Sequence, residues 1–448
     1  MELAVLLSGS RPRAPTIDVK ECALHLLTAT DGSSLTPGDP TRIASRSDVF
    51  SRFLTRRRLL AYSRLALLVF SLAWLWWVVA GDGLRDRSGK PIGGDFVTFW
   101  SAATLVADGE PAAVYELDAM HEAEKRAIGG DTAKVAWLYP PSFLALVSRL
   151  SLLPYLTALG VWLCATLGAL LLALRRHLTD PLVFSLSLAF PGVMQNAVQG
   201  QTGFLSGALL ASGLLWLDRR PALAGAALGL MTYKPHLAPL VFIALLAGRR
   251  WEAFAGAVTS AIALAALSLV AFGWGTWAAF FENISFAGNL LYDGLLPWHK
   301  LTTISGAALL AGLPIELVYL LQAFMTLAVA GVVGWLWWSW AAPALRNSAL
   351  CLGVLLATPY AFDYDLVIMG LALLWLGLEC SATGWRSWER ELLAVAWVSP
   401  VLAPLIARLY VSLEPLLLVA LLAMIVRRAV QPPMTMQVPS ASLERNVA

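Results

Sequence analysis

Long apolar stretches alternate along the chain with short polar segments. Two of them, residues 60–80 and 155–174, have the length of about 20 residues that a helix needs to cross a membrane. The others come in pairs, and several members of these pairs are shorter than one full crossing. The pairs are 180–196 with 202–217, 221–233 with 236–248, 252–273 with 314–341, 347–360 with 365–379, and 391–406 with 413–427. The pattern predicts an all-α polytopic membrane protein with about twelve transmembrane helices.

The composition excludes several other classes of protein. Hydrophobic residues make up 58% of the chain and charged residues only 14%, whereas an ordinary soluble domain has about 25% charged residues. The net charge of +3 is small and its basic residues are spread along the chain, so nucleic acid is not expected as a partner. The four cysteines lack metal-binding spacing, and neither a disulfide nor a zinc site is expected. They are Cys22, Cys164, Cys351 and Cys380.

Basic residues predict the orientation of the chain. An arginine cluster precedes the first apolar run, and the positive-inside rule places it in the cytoplasm. We therefore expect residues 1–50 to be a disordered cytoplasmic extension, 51–428 the membrane domain and 429–448 a cytoplasmic tail. The polar segments between spans then lie together on the outer side, where short helices would stop at a polar cavity. These segments are the loop 81–138, the tips 195–203 and 234–236, the loop 274–300 and the tip 363–365.

The first outer loop carries a candidate acid. Helical spacing at 99–106 and a mixed charged face at 112–128 predict two amphipathic helices lying on the membrane surface. Two glycines before Asp95 allow a sharp turn of the backbone. Asp95 is either the N-cap of the helix that follows or a reactive carboxylate, and spacing leaves both open.

The other outer segments carry candidate binding groups. Lys234 precedes Pro235 at membrane depth, where a lysine costs roughly 2.5–3.5 kcal/mol, so we interpret it as a counter-charge for a phosphate. Gln201 lies in a polar tip that either binds sugar hydroxyls or caps two helices. His299 and Lys300 offer further cations, although a histidine is also common at a surface.

Asp363 and Asp365 flank Tyr364 in a pattern that resembles a D-x-D metal motif. Carboxylates on opposite sides of one residue hardly face the same helix groove, so we do not expect both to hold a metal. A structural ion pair with Lys234 is the alternative. Tyr139 begins a Tyr-Pro-Pro segment that fixes the entry to the next span.

These motifs, in this order, resemble glycosyltransferase family 87 over roughly residues 60–410. The chain departs from the family in its N-terminal extension, and His236 stands where family patterns more often have Gln. The matching segments are Gly94-Asp95-Phe96 with Phe99-Trp100 and Ala103, Tyr139-Pro140-Pro141 with Leu150, Leu152, Leu153 and Pro154, Gly200-Gln201, Lys234-Pro235, and Ala357-Thr358-Pro359-Tyr360 with Tyr364-Asp365.

The resemblance implies a GT-C fold and a transferase that acts at the outer face of the bacterial cytoplasmic membrane. It implies a polyprenyl-phosphate sugar donor, mannose in characterised members, inverting transfer to a lipid or glycan acceptor, and Asp95 as the catalytic residue. No cofactor is expected, and a divalent metal is not required. We place substrate binding at Tyr139, Gln201, Lys234, His236, His299, Lys300, Asp363 and Asp365.

The chemistry of these residues fits such a transfer. An acceptor hydroxyl loses a proton as it attacks, which a carboxylate assists, and fixed cations stabilise the departing phosphate. The chain has no Gly-rich nucleotide loop, which argues against a nucleotide-sugar donor. The alternative is a transporter or flippase, because broken helices with charges at depth also mark substrate paths. Transporters usually contain two repeated halves, and no internal repeat is evident here.

Overall fold

The computed structural model describes residues 54–292, 297–339 and 341–431. The predicted extension 1–50 with Cys22, and most of the predicted tail 429–448, lie outside the described residues. Within the described part of the chain the regular secondary structure is helical, and β-structure is limited to isolated bridges.

The helices are numbered here in chain order. The α-helices are α1 (Arg56–Val79), α2 (Phe96–Ala107), α3 (Leu117–Ile128), α4 (Pro141–Val147), α5 (Tyr155–Leu174), α6 (Pro181–Leu188), α7 (Pro191–Gln199), α8 (Gly203–Trp216), α9 (Pro221–Gly229), α10 (Pro239–Ala247), α11 (Trp251–Tyr292), α12 (Ile304–Leu310), α13 (Ile315–Trp338), α14 (Pro343–Leu356), α15 (Val367–Thr383), α16 (Glu389–Ile406) and α17 (Glu414–Val430). Short 3-10 helices are Pro111–Tyr115, Leu150–Leu152, Leu230–Tyr233, Pro235–Leu237, Trp298–Lys300, Asp363–Leu366 and Ala407–Leu409.

The predicted all-helical class is confirmed, but the count of about twelve spans is not. Six helical segments of the described chain are long and apolar enough to cross a membrane, and the bent pair α6 and α7 makes a seventh if it forms one span. The remaining apolar helices are shorter. The six segments are Arg56–Val79, Tyr155–Leu174, Trp251–Ile284, Ile315–Trp338, Asp363–Thr383 and Glu389–Leu409.

Prolines explain why many of the apolar segments form short helices. Pro191, Pro221, Pro239 and Pro343 each occupy the first position of a helix. Proline suits this position because its missing N–H has no helical partner there, whereas inside a helix it would break the hydrogen-bond ladder. Helices α6 and α7 therefore meet at a bend of 45°. Several short helices end at polar segments, as the sequence predicts.

The first outer loop contains helices at the predicted places, but the prediction that α2 lies on the membrane surface is wrong. Phe96, Val97, Phe99 and Leu105 are all buried, and so are half of the other residues of α2. Helix α2 instead forms the centre of a hydrophobic core with α3, α4 and the start of α5. Its apolar residues occupy almost every side, as expected of a helix surrounded by protein.

Helix α11 extends further than predicted. The chain leaves helical geometry at Gly273, with φ of 75° and ψ of 172°, which is where the predicted span 252–273 ends. Helical structure then resumes and continues to Tyr292. Much of the predicted outer loop 274–300 is therefore helical, and its residues 293–296 lie outside the described part.

A second and larger core joins the helices of the membrane bundle. It contains buried residues from α5, α8–α10, α13–α15 and α17. Helix α1, by contrast, packs mainly against α6 and leaves large apolar side chains such as Leu68 and Leu72 exposed. Apolar exposure of this kind on a long helix is what lipid contact requires.

Candidate active site

Asp95 lies at the junction of the first outer loop and the membrane bundle. Its side chain makes no capping hydrogen bond to α2, and its backbone is already helical. Instead the Gln201 side-chain amide donates to Asp95 Oδ2 at 2.9 Å. Asp95 therefore stands at the N-cap position of α2 without capping it through its side chain, and this half-buried carboxylate is instead held by a residue 106 positions away.

Glycines allow the two segments to approach so closely. Gly94 and Gly200 have φ of 51° and 59°, in the left-handed region that side chains disfavour. A Cβ atom on Gly200 would lie 2.5 Å from Phe96 Cβ, and one on Gly94 would lie 3.2 Å from Gln199 Cα. The Gly-Asp and Gly-Gln motifs thus have a physical reason, because a side chain at either glycine would separate the acid from the tip.

Gln201 is oriented by two further hydrogen bonds. The Tyr139 hydroxyl and the backbone N–H of Thr202 both donate to Gln201 Oε1, each at 3.1 Å. A backbone N–H can only donate, so the carbonyl end of the amide must face Thr202 and the NH₂ end must face Asp95. Tyr139 and Gln201, both predicted site residues, act together on the carboxylate.

Lys234 forms the ion pair with Asp365 that the sequence left open. Lys234 Nζ lies 2.5 Å from Asp365 Oδ1, and the two side chains are 4% and 0% exposed. Thr202 Oγ1 accepts a longer hydrogen bond from the same amine, at 3.5 Å, and the Tyr364 ring centre lies 5.0 Å from it. The charge of Lys234 is therefore already compensated within the protein.

A second polar chain lies on the other side of the tip. Gln199 Nε2 donates to Asp363 Oδ1 at 3.0 Å, and Lys300 donates to Gln199 Oε1 at 3.2 Å. Asp363 and Asp365 thus serve different partners, as their spacing predicts. His299 is exposed beside Lys300, whereas the ring of His236 packs near Tyr360 at 6.2 Å between ring centres.

The five polar segments that the sequence predicts on one side of the membrane therefore meet at the tip 199–203, joined by direct hydrogen bonds or an ion pair. Among the described residues, no group of three or more His, Cys, Asp or Glu side chains is placed to hold a metal ion. Cys164, Cys351 and Cys380 are free thiols.

A cavity of about 290 Å³ adjoins this cluster. Its walls are mostly apolar, and two of its prolines directly follow Tyr139 and Lys234 in the chain. The indole N–H of Trp277 is buried there without a hydrogen-bond partner among the described residues. The lining residues are Pro140, Ser142, Thr232, Pro235, Ala261, Ala265, Trp277, Phe280 and Ile284.

The family model of glycosyltransferase family 87 matches residues 137–359, roughly half of the chain. The chain belongs to glycosyltransferase family 87. It is therefore an enzyme that transfers a sugar from a donor to an acceptor, and its apolar helices are those of a membrane protein. No curated protein and no solved structure matches the chain.

The family 87 match includes Tyr139, Gln201, Lys234 and Lys300, but it begins after Asp95. Asp95 is thus connected to the matched region by geometry, through its hydrogen bond with Gln201. Asp363 and Asp365 also lie outside the match and are connected through Gln199 and Lys234.

Glu124 lies within the predicted charged face 112–128 but is a buried acid of this family 87 enzyme. It is 0% exposed, accepts a hydrogen bond from the Thr98 hydroxyl at 2.9 Å, and its Oε2 has no partner in the described chain. Burial, with a smaller contribution from the nearby charge of Asp95, raises the pKa of Glu124 to about 8. Helical spacing contained the signal, because Met120, Glu124 and Ile128 fall on one face of α3.

Proposed function

We propose that this membrane glycosyltransferase moves a hexosyl group, most simply mannosyl, from a polyprenyl-phosphate sugar to a lipid or glycan acceptor by inverting displacement. The observation that carries the proposal is the hydrogen bond from Gln201 to Asp95. It fixes a half-buried carboxylate of the first outer loop against the tip where Tyr139, Lys234, Lys300 and Asp363 also meet.

Asp95 acts as the base in this mechanism. The acceptor hydroxyl gives its proton to the carboxylate while its oxygen attacks the anomeric carbon. The bond between that carbon and the phosphate oxygen breaks, and its electron pair leaves with the prenyl phosphate. A single displacement inverts the anomeric configuration, and Asp95 then releases the proton to solvent. Gln201 is a positioning residue, because it holds the carboxylate in one orientation.

The donor would occupy the apolar cavity and the cationic side of the tip. The cavity beside Tyr139 and Lys234 suits part of a prenyl chain, because its walls are mostly apolar. Lys300 is half-buried, donates to neutral Gln199 and makes no ion pair within 4 Å among the described residues, so its charge is better placed for the phosphate than that of buried Lys234. The indole N–H of Trp277 supplies a further donor.

The proposed orientation places this cluster at the outer face of the bacterial cytoplasmic membrane. Arg56, Arg57 and Arg58 lie at the start of α1, and positive charge favours the cytoplasmic side. Asp95 follows α1 at the opposite end, so it would face outward.

The test is single-turnover transfer by the purified full-length chain, with a radiolabelled prenyl-phosphate mannose and a membrane extract as the source of acceptor. We expect Asp95→Asn to lower turnover by about 10²–10⁴-fold, the range of general-base assistance, while donor binding is kept. Asparagine still accepts the hydrogen bond from Gln201, so folding should be intact. Asp108→Asn, at the exposed other end of α2, is the matched control.

Wild-type turnover in Asp95→Asn would refute the assignment of the base. Release of no prenyl phosphate by the wild-type enzyme, together with movement of the labelled lipid across vesicles, would refute the transfer reaction itself in favour of a flippase.

A further inference from the structure

A second cavity, which contains four charged or polar side chains, lies at the other end of helix α15 from the proposed active site. Helix α15 has 17 residues and begins just after Asp365, so its two ends are about 25 Å apart. The cavity has a volume of about 290 Å³ and opens between α13, α15 and α17. Its lining residues are Trp335, Ser339, Ala341, Ala342, Leu345, Glu379, Arg386, Arg428 and Ala429.

One of its two arginines is already fully engaged. Arg428 Nε donates to Glu389 Oε1 at 2.8 Å, and a second guanidinium nitrogen pairs with the other carboxylate oxygen. Further donors reach the Thr383 hydroxyl and the Gly384 carbonyl, each at 2.7 Å. The buried pair of Arg428 and Glu389 is therefore a neutral wall of the cavity.

The other two charged residues, Glu379 and Arg386, have no ion-pair partner within 4 Å in the described chain. Glu379 is 6% exposed, and its Oε2 is buried without a hydrogen-bond partner. Arg386 donates to the backbone carbonyls of Arg427 and Gln431, so its guanidinium group is bonded to neutral oxygens and makes no direct ion pair among the described residues. A buried acceptor without a partner is costly. A ligand that brings a cationic donor for Glu379 and an anionic acceptor for Arg386 would therefore complete the cavity.

We propose that this cavity binds the headgroup of a membrane phospholipid that carries a primary ammonium group, that is, a phosphoethanolamine headgroup. The ammonium group would donate to Glu379, and the phosphate would accept from Arg386. Each charge of the zwitterion meets the opposite charge of the protein, and the pair Arg428–Glu389 is left undisturbed.

The surroundings favour a lipid as the source of this headgroup. Trp335 lines the cavity and is 41% exposed, and tryptophan is enriched where a membrane meets water. Basic pockets between transmembrane helices are known places for lipid headgroups. A phosphoglycerol headgroup offers Glu379 only neutral hydroxyl donors and no positive charge, and a choline headgroup has no N–H to donate.

The experiment is native mass spectrometry of the delipidated full-length protein, titrated with phosphatidylethanolamine, phosphatidylcholine and phosphatidylglycerol of the same acyl chains. We expect phosphatidylethanolamine to bind at least about 10-fold more tightly than the other two, the effect of one charged hydrogen bond. Glu379→Gln and Arg386→Gln should each weaken it about 10- to 100-fold. Glu252→Gln, at the exposed start of α11, removes the same charge elsewhere and should have no effect.

Equal binding of the three lipids, or unchanged binding by Glu379→Gln, would overturn the proposal. A second titration uses soluble phosphoethanolamine. If it binds as tightly as phosphatidylethanolamine, the proposal that the headgroup belongs to a membrane lipid is overturned. Melting temperatures of the variants show that they are folded, because Glu379→Gln removes a buried unpaired carboxyl and should not destabilise the protein.

Discussion

Replacement of Gln201 tests whether the orientation of Asp95 controls turnover. Gln201→Met keeps the length of the side chain but removes the donor to Asp95 and the acceptor for the Tyr139 hydroxyl. A hydrogen bond to a charged group is worth about 1.5–3 kcal/mol, so we expect the turnover number to fall about 10- to 150-fold. Tyr139→Phe removes only a neutral hydrogen bond of about 0.5–1.5 kcal/mol, which predicts a fall of about 2- to 10-fold.

The double variant gives the sharper result. If Tyr139 acts on Asp95 only through Gln201, then Tyr139→Phe in the Gln201→Met background should cost nothing more. Single-turnover transfer at saturating donor measures all four proteins, and melting temperatures in detergent confirm that each is folded. Multiplicative effects of the two substitutions, or a Gln201→Met enzyme within twofold of the wild type, would refute this reasoning.

Three further predictions concern stability, each measured by thermal unfolding in detergent. Lys234→Met should lower the free energy of unfolding by about 3–5 kcal/mol, because it leaves the buried Asp365 carboxylate unpaired. A second substitution, Asp365→Leu, should restore most of this loss. A Lys234→Met protein as stable as the wild type would contradict the prediction. Burial raises the pKa of Glu124 from 4.5 to about 8, so between these pH values the folded state binds a proton that the unfolded state has released. The free energy of unfolding should therefore fall as pH rises from about 4.5 to 8. Glu124→Gln should flatten this dependence on pH, and an unchanged dependence would assign it to other groups. Gly200→Ala should lower the free energy of unfolding by about 2–4 kcal/mol through backbone strain and close contact. Gly377→Ala is the control and should be nearly neutral, because a Cβ atom there meets no atom within 4 Å. Equal effects of the two substitutions would show that the close approach at Gly200 is unimportant.

Helix positions were largely predictable because they depend on local patterns. The predicted run 155–174 coincides with α5, and the predicted end of a span at 273 coincides with the break at Gly273. Proline and glycine act on the backbone at their own positions, so their effect is readable in the sequence. The span count was less predictable, since it depends on how short helices pair across the bundle.

The contacts of the site were only partly predictable. Sequence motifs identified Asp95, Gln201 and Lys234, but the hydrogen bond and the ion pair between distant segments come from the tertiary fold. The sequence presents Lys234 as a counter-charge for a phosphate because periodicity cannot reveal a partner 131 residues away. The burial of Glu124 is hard to predict because Glu122, Lys125 and Arg126 close by give α3 a charged face, although the face of Glu124 itself is apolar.

The way short helices begin at the tip has an electrostatic consequence. Helix α2 starts directly after Asp95, α8 starts two residues after Gln201, and α15 starts two residues after Asp365. The N-terminus of a helix carries roughly half a positive charge from its aligned peptide dipoles, and its free N–H groups attract anions. These three termini begin at residues of the cluster joined at the tip 199–203, beside which the leaving phosphate is proposed to lie. Backbone dipoles would therefore stabilise its growing negative charge even though the buried Lys234 is already neutralised by Asp365.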